Sequence, residues 1–268
     1  MIHFKLKEIK DISPWGSEGK LMLHWFALTD SYYWFKFGDT EFPKYTKEIN
    51  IEFNQANKPL YIDYQFARFF WDISEILRHV ESPVPDEIFE FINSVDKLEL
   101  FQQSLKDWLE ISWDESEELN EEIYDEAREW LYVRKLDFGY LVGGPELYFI
   151  RNNDRIHIYW IANYKTENGV SFWQEARGEY SCNYYEFIEG LITSFKSFGI
   201  GMHKQISRIF EKETENVEIN REQILINQNQ FDDLVSSIES KKMLYAEEPD
   251  WKNILNRMKR VLGSNYNL

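Results

Sequence analysis

The chain reads as an α+β protein, because its hydrophobic period changes twice along the sequence. Period-two alternation marks antiparallel strand sets near residues 2–54 and 145–180. Between and after them the apolar residues recur at the 3.6-residue spacing of amphipathic helices. Strands and helices therefore fall in runs, with helices packed against the strand sets, a helical middle and a helical C-terminal tail. A regularly alternating parallel architecture does not fit that order.

The strand sets come first. Ile2, Phe4 and Leu6 alternate with His3, Lys5 and Lys7, and Leu21, Leu23 and Trp25 open a second strand. A third runs from about Tyr32 to Phe37, with Thr29-Asp30-Ser31 as the turn of a hairpin, and Ile49, Ile51 and Phe53 suggest a fourth. After the glycine-rich stretch Gly139–Pro145, Leu147 and Phe149 lead to the turn Asn152-Asn153-Asp154. Ile156, Ile158 and Trp160 alternate on the next strand, a further strand covers Phe172 to Tyr180, and Ile224–Ile226 reads as a short one.

The helices follow from their stripes. Phe66, Phe69, Phe70, Ile73, Ile76, Leu77 and Val80 share one face, and Ser82-Pro83-Val84-Pro85 stops the helix. Shorter stripes are Ile88/Phe91/Ile92/Val95, Leu98/Phe101/Leu105/Trp108/Leu109 and Leu119/Ile123/Ala127/Trp130/Leu131. Tyr184, Phe187, Ile188, Leu191, Ile192 and Phe195 form another, which Gly199 and Gly201 are expected to interrupt before Met202, Ile206, Ile209 and Phe210 resume it. Two helices end the chain, on Phe231/Leu234/Val235/Ile238 and Trp251/Ile254/Leu255/Met258/Leu262. Phe66, Phe69, Phe70, Ile73, Leu77, Phe187, Leu191 and Ile192 are the expected core.

The segments divide into an N-terminal hairpin and helix lobe (1–82), an acidic helical segment (83–138), a second hairpin and helix lobe (139–213) and a helical tail (214–268), packed as one compact unit. Residues 20–80 and 145–210 echo one another in pattern, which either duplication or convergence of common patterns explains.

Composition narrows the function. The 268 residues carry a net charge of −17, so bare nucleic acid and anionic membranes are poor partners. Hydrophobic residues make up 43% and aromatics 17%, enough for a packed core with rings left over for binding. Cys182 is the single cysteine, which excludes an intrachain disulfide and a thiolate cluster. The N-terminus lacks the apolar run of a signal peptide and no segment approaches a membrane span, so a cytoplasmic location is expected.

Catalytic signals are absent. His3, His24, His79, His157 and His203 are too far apart for a helical metal pair, and His24 and His157, on alternating strands, read ordinarily as satisfied or half-exposed strand histidines. There is no nucleophile elbow, and Gly143-Gly144-Pro145 lacks the lysine and spacing of a phosphate loop. Neither a metal nor a cofactor is expected, and the oligomeric state is not readable.

Two surfaces remain. Residues 107–129 hold eleven acids and one base, Arg128, and so contribute −10 of the −17. With the stripe at Leu119–Leu131 facing inward, Glu117, Glu118, Glu121, Glu122, Asp125, Glu126 and Glu129 form a negative ridge suited to a basic protein partner. A solvated helical corner has the same pattern. The alternative is an enzyme or small-ligand cleft between the strand sets, using Trp15, Trp25, Trp34 and Trp160 with Asp30, Asp63 and Arg68. The sharpest form of the first reading is an inhibitor or immunity-type protein covering a basic partner such as a nuclease toxin.

Five sequence words are more specific: Pro14-Trp15-Gly16, Trp25-Phe26-Ala27-Leu28-Thr29-Asp30, Asp63-Tyr64-Gln65-Phe66-Ala67-Arg68, Arg134-Lys135-Leu136-Asp137-Phe138-Gly139-Tyr140-Leu141 and Gly143-Gly144-Pro145. In this order the chain resembles an uncharacterised bacterial domain-of-unknown-function family, 5984, from about residue 2 to 210, with the tail outside. The resemblance implies a soluble bacterial protein without an assigned activity, and it supplies no catalytic residue. The words serve as a folding signature or as a site.

Overall fold

The computed structural model describes residues 1–17, 20–112, 117–211, 217–240 and 248–263, without the side chains of 111, 112 and 117–120. In chain order the elements are β1 (Ile2–Leu6), β2 (Trp15–Ser17), β3 (Lys20–Leu23), α1 (Trp25–Leu28), β4 (Asp30–Phe37), β5 (Thr40–Phe42), α2 (Lys47–Glu52), β6 (Ile62–Gln65), α3 (Phe66–Val80), α4 (Asp86–Phe89), α5 (Val95–Ser112), α6 (Glu117–Tyr132), β7 (Lys135–Asp137), β8 (Glu146–Asn152), β9 (Arg155–Ile161), β10 (Arg177–Asn183), α7 (Tyr184–Phe210), β11 (Val217–Ile219), α8 (Arg221–Glu239) and α9 (Trp251–Leu262). The fold is α+β.

The elements divide into two units, each assembled from three stretches of chain. The first takes Met1–Glu75, Asn163–Glu175 and Tyr185–Leu244; the second takes Ile76–Ala162, Ala176–Tyr184 and Tyr245–Leu268. In the first unit, β4 is the central strand of an antiparallel sheet, paired with β1, β5 and β6. Its inward residues Ser31, Tyr33, Phe35 and Phe37 are buried, while Asp30, Tyr32, Trp34 and Lys36 face the other way. That alternation follows from the pleat. The core is largely aromatic: Phe66 stacks on Phe198 at 4.3 Å, and Phe70 meets Phe231 at 4.3 Å and Phe195 at 4.9 Å. A second, small sheet runs β11-β3-β2, and its β11–β3 pair is parallel.

Several local expectations are corrected. Trp25 does not continue a strand. It opens α1, and β3 and β4 lie in different sheets, so no hairpin turns at Thr29-Asp30-Ser31. Thr29 is instead a buried joint: its hydroxyl donates to the Phe26 carbonyl at 2.7 Å and accepts the Ala67 amide at 3.3 Å, and its carbonyl accepts the Phe66 amide at 2.9 Å. Ile49 and Ile51 lie in helix α2, which Thr46 caps by accepting the Ile49 amide, and Phe53 is its C-cap. Only Ile49 of the three is buried; Ile51 and Phe53 are 63% and 52% exposed. The period-two pattern there was coincidental. Ile224–Ile226 belongs to α8, and the short strand nearby is β11.

Gly199 and Gly201 do not interrupt α7, which runs unbroken for 27 residues. At Gly201 a Cβ would come within 2.9 Å of the Leu6 side chain, so the glycine allows close packing rather than a break. Of the expected core residues, all but Ile192 are buried; Ile192 is half-buried.

In the second unit β7 to β10 form one antiparallel meander in the order β10-β9-β8-β7. The strand expected over Phe172–Tyr180 lies later, at Arg177–Asn183. Ile88, Phe91, Ile92 and Val95 are buried as expected, but only α4 and the first residue of α5 are helical there. Ile123, Ala127, Trp130, Ile254 and Met258 join α5, α6 and α9 over a common core with Tyr148, Ile150 and Tyr159 of the sheet.

Candidate functional site

Helix α6 exists because its inward face is apolar. Ile123, Ala127, Trp130 and Leu131 are buried, and the Trp130 ring meets Trp251 of α9 at 5.9 Å. Glu121, Glu122, Asp125 and Glu129 are exposed on the opposite side. The spacing explains the row: 121, 125 and 129 follow at i, i+4, i+8 and so stand above one another. Glu121 and Glu129 make no ion pair among the described residues. Asp125 has a loose one, 3.6 Å from Arg128.

The inner flank of the ridge is neutralised. Arg257 of α9 places Nε 2.5 Å from Glu126 and lies 3.9 Å from Glu122. Glu126 is accordingly half-buried. Asp114 and Glu115, and the side chains of Glu117, Glu118 and Leu119, lie outside the described residues.

The second set of candidate residues is dispersed. Asp30, Trp34 and Asp63 share the outward face of the first sheet, where Tyr32 pairs across with Asp63. Trp25 is buried, and its indole N–H donates to Gln228 at 2.9 Å. Trp15 is 44% exposed and packs edge-on against His24 at 4.5 Å. Arg68 is exposed and bonds Asp72 at 3.0 Å. Trp160 is buried in the other unit, over Gly178.

Residues that the sequence reading did not single out complete the outward face. Lys7 bridges two carboxylates, Asp30 at 3.0 Å and Asp63, and lies 5.4 Å from the Tyr32 ring. Lys58 stands 3.5 Å from Asp63. Burial works against the Lys7 ammonium, but its hydrogen bonds to Asp63 and Asp30 outweigh that and raise its pKa. Asp30 is also pushed up, because its burial costs more than its share of Lys7 returns. The lysine, served by two carboxylates, is the better-satisfied partner. Beside this cluster Trp34 stacks between Tyr61 at 3.9 Å and His3 at 5.5 Å. Glu41 fixes the Tyr61 end, accepting from the phenol and from Lys44, each at 2.8 Å. Next to Lys58, an open depression of about 410 Å³ is lined by Ile51 and residues 54–58. The alternation of His3, Lys5 and Lys7 was visible in sequence; the register joining it to Trp34 and Asp63 was not.

Two of the specific sequence words contain structural joints. Arg134 is buried without a carboxylate. Its guanidinium donates to the carbonyls of Trp130 at 2.5 Å, His79 at 2.7 Å and Ser82 at 3.4 Å, and burial lowers its pKa to about 10. It thus tethers the ends of α3 and α6. At Gly144 a Cβ would fall 2.1 Å from the Phe138 carbonyl oxygen. A model of a family of unknown function, DUF5984, matches residues 1–257. The chain belongs to that family. The match takes in α8 and the first part of α9, so most of the tail that the sequence words left outside lies within the family. No curated protein and no solved structure matches the chain. Among the described residues no helix is long and apolar enough to cross a membrane, and no group of acids, histidines and cysteine could hold a metal ion.

Proposed function

We propose that this member of the family is a protein-binding module that meets a basic partner through the outer row of α6. The observation that carries the reading is the row itself: Glu121, Asp125 and Glu129 project to water from a helix whose opposite face is locked in a core. A preformed helix spares the backbone any ordering on binding, and the summed field of its acids speeds encounter with a basic surface. The narrower form is an inhibitor or immunity-type protein that covers a basic enzyme such as a nuclease toxin. Net charge −17 supports the same sign of partner.

The experiment is affinity capture with the purified chain as bait, at low and at high salt, against the triple variant Glu121→Lys/Asp125→Lys/Glu129→Lys. Glu126 is left alone because it serves Arg257. A basic protein retained by the native chain at low salt and lost by the variant supports the reading. A partner held equally by both removes α6 as the contact.

A further inference from the structure

The outward face of the first sheet carries an unfinished aromatic column. Tyr61, just before β6, Trp34 of β4 and His3 of β1 stack with interplanar angles of 16° and 13°. Both faces of Trp34 are covered, and Glu41 and Lys44 occupy the Tyr61 end. His3 is exposed, and it sits on β1, whose single strand partner among the described residues is β4. Along that edge helix α7 meets β1, where the Ser194 hydroxyl donates to the Ile2 carbonyl at 2.9 Å, while His3 itself stays exposed on the outward face.

The charges around that end differ from those of the chain as a whole. His3 stands opposite Trp34, and Lys5 stands opposite Tyr32, one rung along the same face. Lys36 lies two residues beyond Trp34 on β4, on the other side of the pair. Both lysines are exposed and neither makes an ion pair among the described residues; Glu41, the cross-strand neighbour of Lys36, is held by Lys44 and Tyr61. Lys7, Lys44 and Lys58, by contrast, are committed to Asp30, Asp63 and Glu41.

We infer that the His3 end of the column binds a free mononucleotide, whose base stacks on the imidazole as a fourth ring and whose phosphate is met by Lys5 or Lys36. Ring stacking supplies an apolar, sequence-tolerant contact, and a lysine on either side supplies the cation that a phosphate needs. Burial, with help from the charges of the N-terminus and Lys36 and against that of Glu41, lowers the His3 pKa, so at neutral pH the ring stacks uncharged beside the two lysines. A net charge of −17 disfavours a polyanion, so the single nucleotide is the fitting size. This site is independent of the α6 reading and involves none of its residues.

Adenosine monophosphate is the probe, titrated into the full chain by calorimetry, with adenosine, inorganic phosphate and a short single-stranded oligonucleotide as separate arms. The inference expects one saturable site for the mononucleotide, with adenosine and phosphate each weaker. His3→Ala and the pair Lys5→Glu/Lys36→Glu should each weaken it by about tenfold, the scale of one lost base stack or ion contact. All three side chains are exposed, and unchanged circular dichroism and melting temperature confirm that the variants fold. Absence of saturable mononucleotide binding overturns the inference. So does binding that both variants leave unchanged, or a response to the oligonucleotide alone.

Discussion

Helix α6 and the outward face of the first sheet both hold carboxylates among aromatic rings, yet they handle charge in opposite ways. On the sheet, Asp30 and Asp63 are spent on Lys7, whose side chain is 15% exposed. On α6, Glu121 and Glu129 have no cation among the described residues, and the one well-placed base, Arg257, is taken by Glu126. Carboxylates that already hold a lysine shape the fold; carboxylates left in water are the ones a partner can use. The second unit gives the extreme case in Arg134, a buried cation whose hydrogen bonds go to carbonyls and whose guanidinium lies 5.3 Å from the Trp251 ring.

If that contrast is right, Arg134→Ala has the largest effect. It leaves three helix-end carbonyls without their donor, two of them firmly bonded at 2.5 and 2.7 Å. Urea unfolding should show a loss of about 3–5 kcal/mol, the range for breaking a buried network. A loss below about 1 kcal/mol would mean that water replaces the guanidinium and that Arg134 is no joint.

Lys7→Met comes next, at about 2 kcal/mol, because it strands two carboxylates on a half-buried face. Asp30→Asn should cost less, since Asp63 still holds Lys7 and ionised Asp30 carries a burial penalty of its own. The pH dependence follows from the raised Lys7 pKa. A base whose folded pKa exceeds its unfolded value, about 10.4, stabilises fully below that value and loses the contribution as pH rises through the folded pKa. The stability gap between native chain and Lys7→Met should therefore close above about pH 10. A gap that is constant to pH 11 (roughly, by the same linkage) would show that Lys7 acts by packing alone.

How far these contrasts could be foreseen depends on the range of the contacts. The stripes of α3, α5 and α6 were legible because a helix writes its buried face into a short window, and Phe66 to Val80 and Ile123 to Leu131 fell as read. The exposed acids of α6 were legible for the same reason. Ile49-Ile51-Phe53 misled because two of the three are surface residues, whose spacing nothing constrains. Gly199 and Gly201 misled because the need for a small residue comes from across the fold, from Phe231 and Leu6. The Lys7–Asp30–Asp63 cluster draws on β4, β6 and the residue that follows β1, and only the register of the three strands brings the charges together. The same register turns Trp34 toward His3.

The triple variant Glu121→Lys/Asp125→Lys/Glu129→Lys should have the smallest effect on stability, within about 0.5 kcal/mol of the native chain. Repulsion between like charges at i, i+4 opposes α6 by a few tenths of a kcal/mol per pair, and moderate salt should relieve it. Reversing the whole row keeps like charges adjacent and loses the loose Asp125–Arg128 pair, but sets the new lysines beside Glu122 and Glu126, so the net change should be small. A loss above about 1 kcal/mol, read by the same urea titration, would show that the row is part of the folded framework.

The most direct test of the central claim is the salt dependence of partner binding by that same stable triple variant. Native chain and variant are immobilised, and the amount of basic protein retained is followed from about 0.05 to about 0.5 M salt, where screening shortens from beyond the width of the row to a few ångströms. The account predicts steeply falling retention for the native chain and little retention by the variant at any salt. Equal retention by the two, with the same salt profile, would contradict it.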